Sequence, residues 1–198
     1  MEEWMEKILQ DLNRISRVAV IEQAFDVESM LRNYAKILKY RWGHVDKDVP
    51  MQMEYLHLEM LLSYYQTQYN KQLEFGLCLE PSVKEIMIPH YTLMGIVGSL
   101  LEAITLTADG KLECRVYTSE IKNEEVEQTF DFFTSIQLKG NMDLKEVVAR
   151  SQNNSVSYDD LEGACSRWKQ SFSDSSIKLL TGAEHSIEIQ LFGRLDEI

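Results

Sequence analysis

The sequence is poor in residues that staple, break or anchor a chain: 198 residues hold three cysteines, three prolines and nine glycines. Cys78, Cys114 and Cys165 are odd in number and lack any Cys-x-x-Cys spacing, which argues against a disulfide framework or a zinc knuckle. They read as small apolar side chains in a reducing compartment, so a cytoplasmic location is expected. No stretch approaches the ~20 apolar residues of a membrane-spanning helix, and no membrane segment is expected within this chain. The opening MEEWMEKILQDL is acidic and amphipathic, unlike a secretory or mitochondrial leader. Basic residues do not cluster and the formal net charge is −12, so nucleic acid and anionic membrane surfaces would be repelled.

What is present can build a core. Hydrophobic residues make up 44% and aromatic residues 10% of the chain, enough for one generous domain with an appendage. Along residues 2–23, Trp4, Met5, Ile8, Leu9, Leu12, Ile15, Val18 and Ile21 recur in steps of three and four, the stripe of an amphipathic helix. Asp26 is read as the N-cap of a second helix carrying Val27, Met30, Leu31, Tyr34, Ile37, Leu38 and Trp42, ended by Gly43. About three residues join the two, which forces an antiparallel hairpin. Each stripe needs a partner, and pairing two hairpins into a four-helix bundle supplies one, so a homodimer is expected.

A third helix opens at Pro50 and ends near Asn70. Leu73, Phe75, Leu77 and Leu79 then alternate as in a half-buried strand. Next, IPHYTLMGIVGSLLEAI passes a proline and continues from near Tyr91 as a helix on which Leu93, Met94, Ile96, Val97, Leu100, Leu101 and Ile104 are apolar and only Glu102 is charged. GKLECRVYTSEI and VEQTFDFFTSIQL read as paired strands turning near Lys122 to Glu125. Helices are expected over 143–150 and 158–172, and SIKLLTG and HSIEIQLFG as a closing pair of strands. The expectation is an α+β chain: an N-terminal helical hairpin over 1–44, followed over 45–198 by an α/β sandwich, a mixed sheet with helices on one face.

VPMQMEYLHLEMLLSYYQTQYNKQLEF followed by IPHYTLMGIVGSLLEAI resembles the start of the ATPase domain in sensor histidine kinases of the YesM/LytS type, within the GHKL ATPase superfamily. MLRNYAKILKYRW is similar to the second helix of that family's dimerisation hairpin. The likeness runs from about residue 5 to 104 and beyond that is only an order of elements. It implies a two-component signalling module with ATP and Mg²⁺ as cofactors, and a response regulator or sensor kinase as partner.

Matched residue by residue, the resemblance implies a degenerate member. The phosphoacceptor histidine of the family falls on Glu6, whose carboxylate cannot form a phosphoramidate. The adjacent Glu and Asn that the family uses at its nucleotide and Mg²⁺ site fall on Gly98 and Ser99, with Glu102 one turn farther along the same face. No Asp-x-Gly-x-Gly turn follows the third strand, where Asp131 is the nearest carboxylate, and Asp159 and Asp160 stand where a glycine-rich phosphate lid is expected. The closing hairpin has Glu184, His185 and Ser186 in place of a Gly-Thr pair. No cofactor is therefore expected, and the chain is read as a pseudokinase acting through protein interaction. A kinase or phosphotransferase binding ATP by altered contacts, and a structural dimerisation scaffold, are the alternatives.

Other groupings carry less. Glu184, His185 and Ser186 adjoin on a turn and cannot converge as a triad. Glu54 and His57 share a helix face without further metal ligands, and none of His44, His57, His90 and His185 lies on the first helix. Tyr55, Tyr64, Tyr65 and Tyr69 are read as core and rim packing, and Arg167 and Lys169 as an exposed face.

Overall fold

A computed structural model describes residues 2–43, 47–69, 72–104, 110–121, 130–140, 161–172, 174–182 and 186–195. The helix expected over 143–150, the turn near Lys122 to Glu125, the lid with Asp159 and Asp160, and His44, Asn70 and His185 lie outside the described residues.

The hairpin is formed by α1 (Glu2–Ile21) and α2 (Phe25–Gly43). Asp26 does not cap α2: the helix begins one residue earlier, and Asp26 and Glu28 sit in its first turn, where the exposed amide ends favour negative charge. Gln23 makes the reversal at a left-handed φ of 57°. Trp4 and Trp42 meet edge to face, 5.2 Å apart, near the open end of the hairpin.

Next come β1 (Asp48–Pro50), α3 (Met51–Gln68), β2 (Leu73–Leu79) and β3 (Met87–Pro89), with a short 3₁₀ turn, Pro81–Val83, between β2 and β3. Pro50 precedes the first residue of α3, so its missing N–H costs no helical hydrogen bond. Strands β1 and β3 pair antiparallel, three residues each. They fasten the start of α3 beside the chain that enters α4 (Thr92–Ala103). The rest of the chain supplies β4 (Leu112–Glu120), β5 (Phe132–Gly140), α5 (Leu161–Ser171), β6 (Ser175–Gly182) and β7 (Ser186–Gly193).

Five strands form one mixed sheet in the order β2-β4-β5-β7-β6, parallel between β2 and β4 and antiparallel elsewhere. Strand alternation puts Leu112, Cys114 and Val116, Phe132, Ile136 and Leu138, and Ile187, Ile189 and Leu191 on the face that α3, α4 and α5 cover. The fold class is therefore the expected one: α+β, a helical hairpin followed by a mixed sheet with helices on one face. Gly193 closes β7 where only glycine fits, since a Cβ there would lie 2.6 Å from Phe132 Cζ.

The hairpin is not free of the sandwich. Ile37, Leu38 and Tyr40 of α2 are buried within the single chain, and Tyr34 stacks on Tyr64 of α3 with ring centroids 5.4 Å apart.

Candidate functional site

Helix α4 is the element on which the resemblance places the site, and it is buried almost all round. Thr92 through Gly98, Leu100, Leu101 and Ala103 are shielded, Ser99 is half-buried, and Glu102 is exposed. Gly95 lets α5 approach, because a Cβ there would stand 3.4 Å from both Ala164 Cβ and Arg167 Nη2. Gly98 faces α3, where an added Cβ would be 3.8 Å from Leu61 Cδ2, an ordinary packing distance.

The structure thus brings Gly98, Ser99 and Glu102 together on successive turns of one helix, with Gly98 directed toward apolar packing. Glu102 accepts a hydrogen bond from the Tyr65 hydroxyl at 3.2 Å, and the Tyr69 hydroxyl donates to the Leu101 carbonyl at 2.6 Å. Burial, reinforced by the Glu102 carboxylate, holds Tyr65 in its neutral donor form. Glu6 sits elsewhere, exposed on α1. Among the described residues no three His, Cys, Asp or Glu side chains gather as a metal centre.

The tyrosines of α3 pack as expected. Tyr55 and Tyr65 are core residues, Tyr64 and Tyr69 pack at its margin, and Tyr65 and Tyr69 stack on one another. Asp131 serves the local backbone, its Oδ2 accepting the Leu195 N–H at 2.7 Å where β5 begins. Arg167 is a correction. It is not on an exposed face with Lys169 but buried, donating from Nη2 to the Tyr91 carbonyl at 3.1 Å, because α5 turns Ala164, Arg167 and Trp168 inward toward α4.

The residue that sequence reasoning missed is Glu54. Its side chain is fully shielded and accepts four hydrogen bonds at the start of α4. Oε1 takes the Tyr40 hydroxyl at 2.5 Å and the Tyr91 N–H at 2.6 Å. Oε2 takes the Leu93 N–H at 3.0 Å and the Met94 N–H at 3.3 Å. These amides are helix-start donors without helical acceptors, so a carboxylate from α3 caps α4 from outside. Burial pushes the Glu54 pKa above the usual carboxylate range, and the four donors pull it back. The readable signal was its spacing: Glu54 lies three residues after Met51 and four before Leu58, within the buried stripe of α3.

No protein-family model and no curated protein matches this chain. Solved structures do. The catalytic domain of the histidine kinase ThkA, in a nucleotide-free form, aligns with a TM-score of 0.47 at 9% identity, covering 75% of this chain and 95% of that one. A second nucleotide-free form of that domain aligns at 0.47 and 10% identity, with the same coverage. Full-length ShkA in complex with AMPPNP aligns at 0.46 and 13% identity; 92% of this chain is covered, against 40% of that one.

Proposed function

We propose that this chain is a histidine-kinase-like signalling module that works by protein interaction rather than phosphotransfer, as a pseudokinase in a two-component or allied pathway. The observation that carries the reading is α4 itself. Where the resembled kinases set two nucleotide-site side chains, this helix has Gly98, which has no side chain and faces Leu61, and Ser99, with a single neutral hydroxyl. A Mg²⁺ bridging a triphosphate takes one or two carboxylate or amide oxygens from the protein. Among the described residues of this helix the carboxylate is Glu102, which receives the Tyr65 hydroxyl. These residues do not fit the metal–nucleotide pair, and Glu6 does not fit the phosphoacceptor role.

The interaction surface of this reading is the hairpin, through which two copies pair. Ile15, Val18, Val20 and Ile21 of α1, with Phe25 and Val27 of α2, are exposed around the closed end of the hairpin. Large apolar side chains left exposed so close in sequence make the closed end of the hairpin the candidate association surface. A second hairpin would cover it in four-helix packing. In the cell, a response regulator or a sensor kinase is the proposed further partner.

Incubation with labelled ATP tests the absence of phosphotransfer. The wild-type chain should gain no acid-labile phosphate, and Glu6→His should gain none either, because acceptor and donor positions are both altered. Labelling of Glu6→His alone would overturn the reading by showing a working nucleotide site.

A further inference from the structure

Tyr91 is a non-glycine residue in the left-handed region, at φ 60° and ψ 24°, immediately before the first residue of α4. That conformation is disfavoured for a side-chain-bearing residue and persists only where neighbours over-determine it. Glu54 of α3 takes the Tyr91 N–H, Arg167 of α5 its carbonyl, and the last turn of α2 reaches it both directly and through Glu54. The Tyr40 hydroxyl shares Glu54 Oε1 with the Tyr91 N–H. The Arg41 guanidinium stands over the Tyr91 ring, 5.5 Å from its centroid. His90 Nε2 lies 2.9 Å from the Tyr40 carbonyl, which can only accept, so that nitrogen carries the proton. The Tyr40 ring is packed between His57 and His90, with centroids 3.7 and 4.4 Å away. On the far side, Arg167 of α5 donates to the Tyr91 carbonyl.

We propose that the end of α2 is a mechanical clamp on the Tyr91 turn, through which displacement of the hairpin against the sandwich is transmitted to the first turn of α4. If α2 withdraws Tyr40 and Arg41, a buried carboxylate loses its hydroxyl donor and the Tyr91 ring loses its cation. The left-handed turn then loses the cation over its ring, and the shielded carboxylate that holds its N–H loses one of four donors, a cost that favours rearrangement. In this proposal the observed left-handed turn is one of two arrangements, the other being its relaxed backbone, and both ends of the clamp bias the choice. A hairpin that changes partner or packing therefore changes the helix bearing Gly98, Ser99 and Glu102, whether or not that helix meets a nucleotide.

Amide hydrogen exchange on the intact chain tests the clamp. Tyr40→Phe keeps the ring and deletes the hydroxyl. It should speed exchange about tenfold, a local opening cheaper by about 1.4 kcal/mol, both in the last turn of α2 and at residues 91–95, while amides in β4 and β5 keep their wild-type rates. Arg41→Met, which removes a partly exposed cation and keeps the stem, should loosen residues 91–95 in the same pattern and serves if Tyr40→Phe folds poorly. Unchanged exchange at 91–95 in Arg41→Met would overturn the clamp. So would loosening confined to α2 in Tyr40→Phe, or a uniform rise that includes β4 and β5.

Discussion

The Tyr40 hydroxyl donates to Glu54 Oε1 across 2.5 Å, joining the hairpin to the sandwich at a carboxylate that no solvent reaches. Both oxygens of that carboxylate face two donors each, so the group is tied to α2 and to the start of α4 at once.

Replacing Glu54 by Gln leaves one oxygen and brings an NH₂ group against N–H and O–H donors. We expect Glu54→Gln to lose about 2–4 kcal/mol of unfolding free energy in urea, as follows from leaving buried donors unpaired. A loss below about 1 kcal/mol, the net worth of a single ordinary hydrogen bond, would show that the cap contributes little.

The same group predicts a pH dependence. Because burial raises its folded pKa above the ordinary carboxylate value of 4.5, the folded chain holds the proton more tightly than the unfolded chain. Its contribution to stability is full below that unfolded value and is lost as pH rises through the folded one. The advantage of the wild-type chain over Glu54→Gln should therefore shrink as pH rises above 4.5. Paired urea titrations across that range check it, and a widening gap would reverse the assigned direction.

Much of this arrangement was legible, and for physical reasons. Apolar steps of three and four are forced on any helix with one buried face, which is why Ile8, Leu12 and Leu38 announced the hairpin. Alternation likewise marked Leu73 to Leu79 and Ile187 to Leu191. Two three-residue strands, β1 and β3, are too short to show a period. Arg167 was misread because a charged residue is taken to face water by default, and Glu54 was missed because its place on a helix face beside His57 does not reveal the backbone N–H groups it meets; both hydrogen-bond to the turn at Tyr91. At the candidate site, Gly98 and Ser99 could be placed on their helix, but the apolar neighbour Leu61 only emerges once α3 is packed against α4.

Gly98→Ala should stabilise the chain. Its Cβ would sit at van der Waals distance from Leu61, and alanine exceeds glycine in a helix interior by about 0.5–1 kcal/mol. Thermal unfolding should rise by about 1–4 °C for a chain of this size. A fall in the midpoint would mean that the α3–α4 contact is tighter than described.

Gly193→Ala should do the opposite. Phe132 is fully buried and its ring would stand within 2.6 Å of the new methyl group, so ring or strand must shift. Overpacking of this kind costs about 1–3 kcal/mol, read as a lower urea midpoint at unchanged slope. Wild-type stability would contradict the close approach.

Sedimentation equilibrium addresses the hairpin surface. The wild-type chain should have about twice its 23.0 kDa mass at micromolar concentration. Val18→Asp, at a position 53% exposed in the single chain, should restore the monomer mass with far-ultraviolet circular dichroism unchanged. A wild-type mass near 23.0 kDa would reject the dimer.

The central claim, that the helix bearing Gly98 and Ser99 does not serve a nucleotide, is tested most directly by calorimetric titration of the wild-type chain with ATP and Mg²⁺. The account predicts no saturable heat up to about 1 mM, where binding would be worth roughly −4 kcal/mol. A dissociation constant below about 1 mM would contradict it.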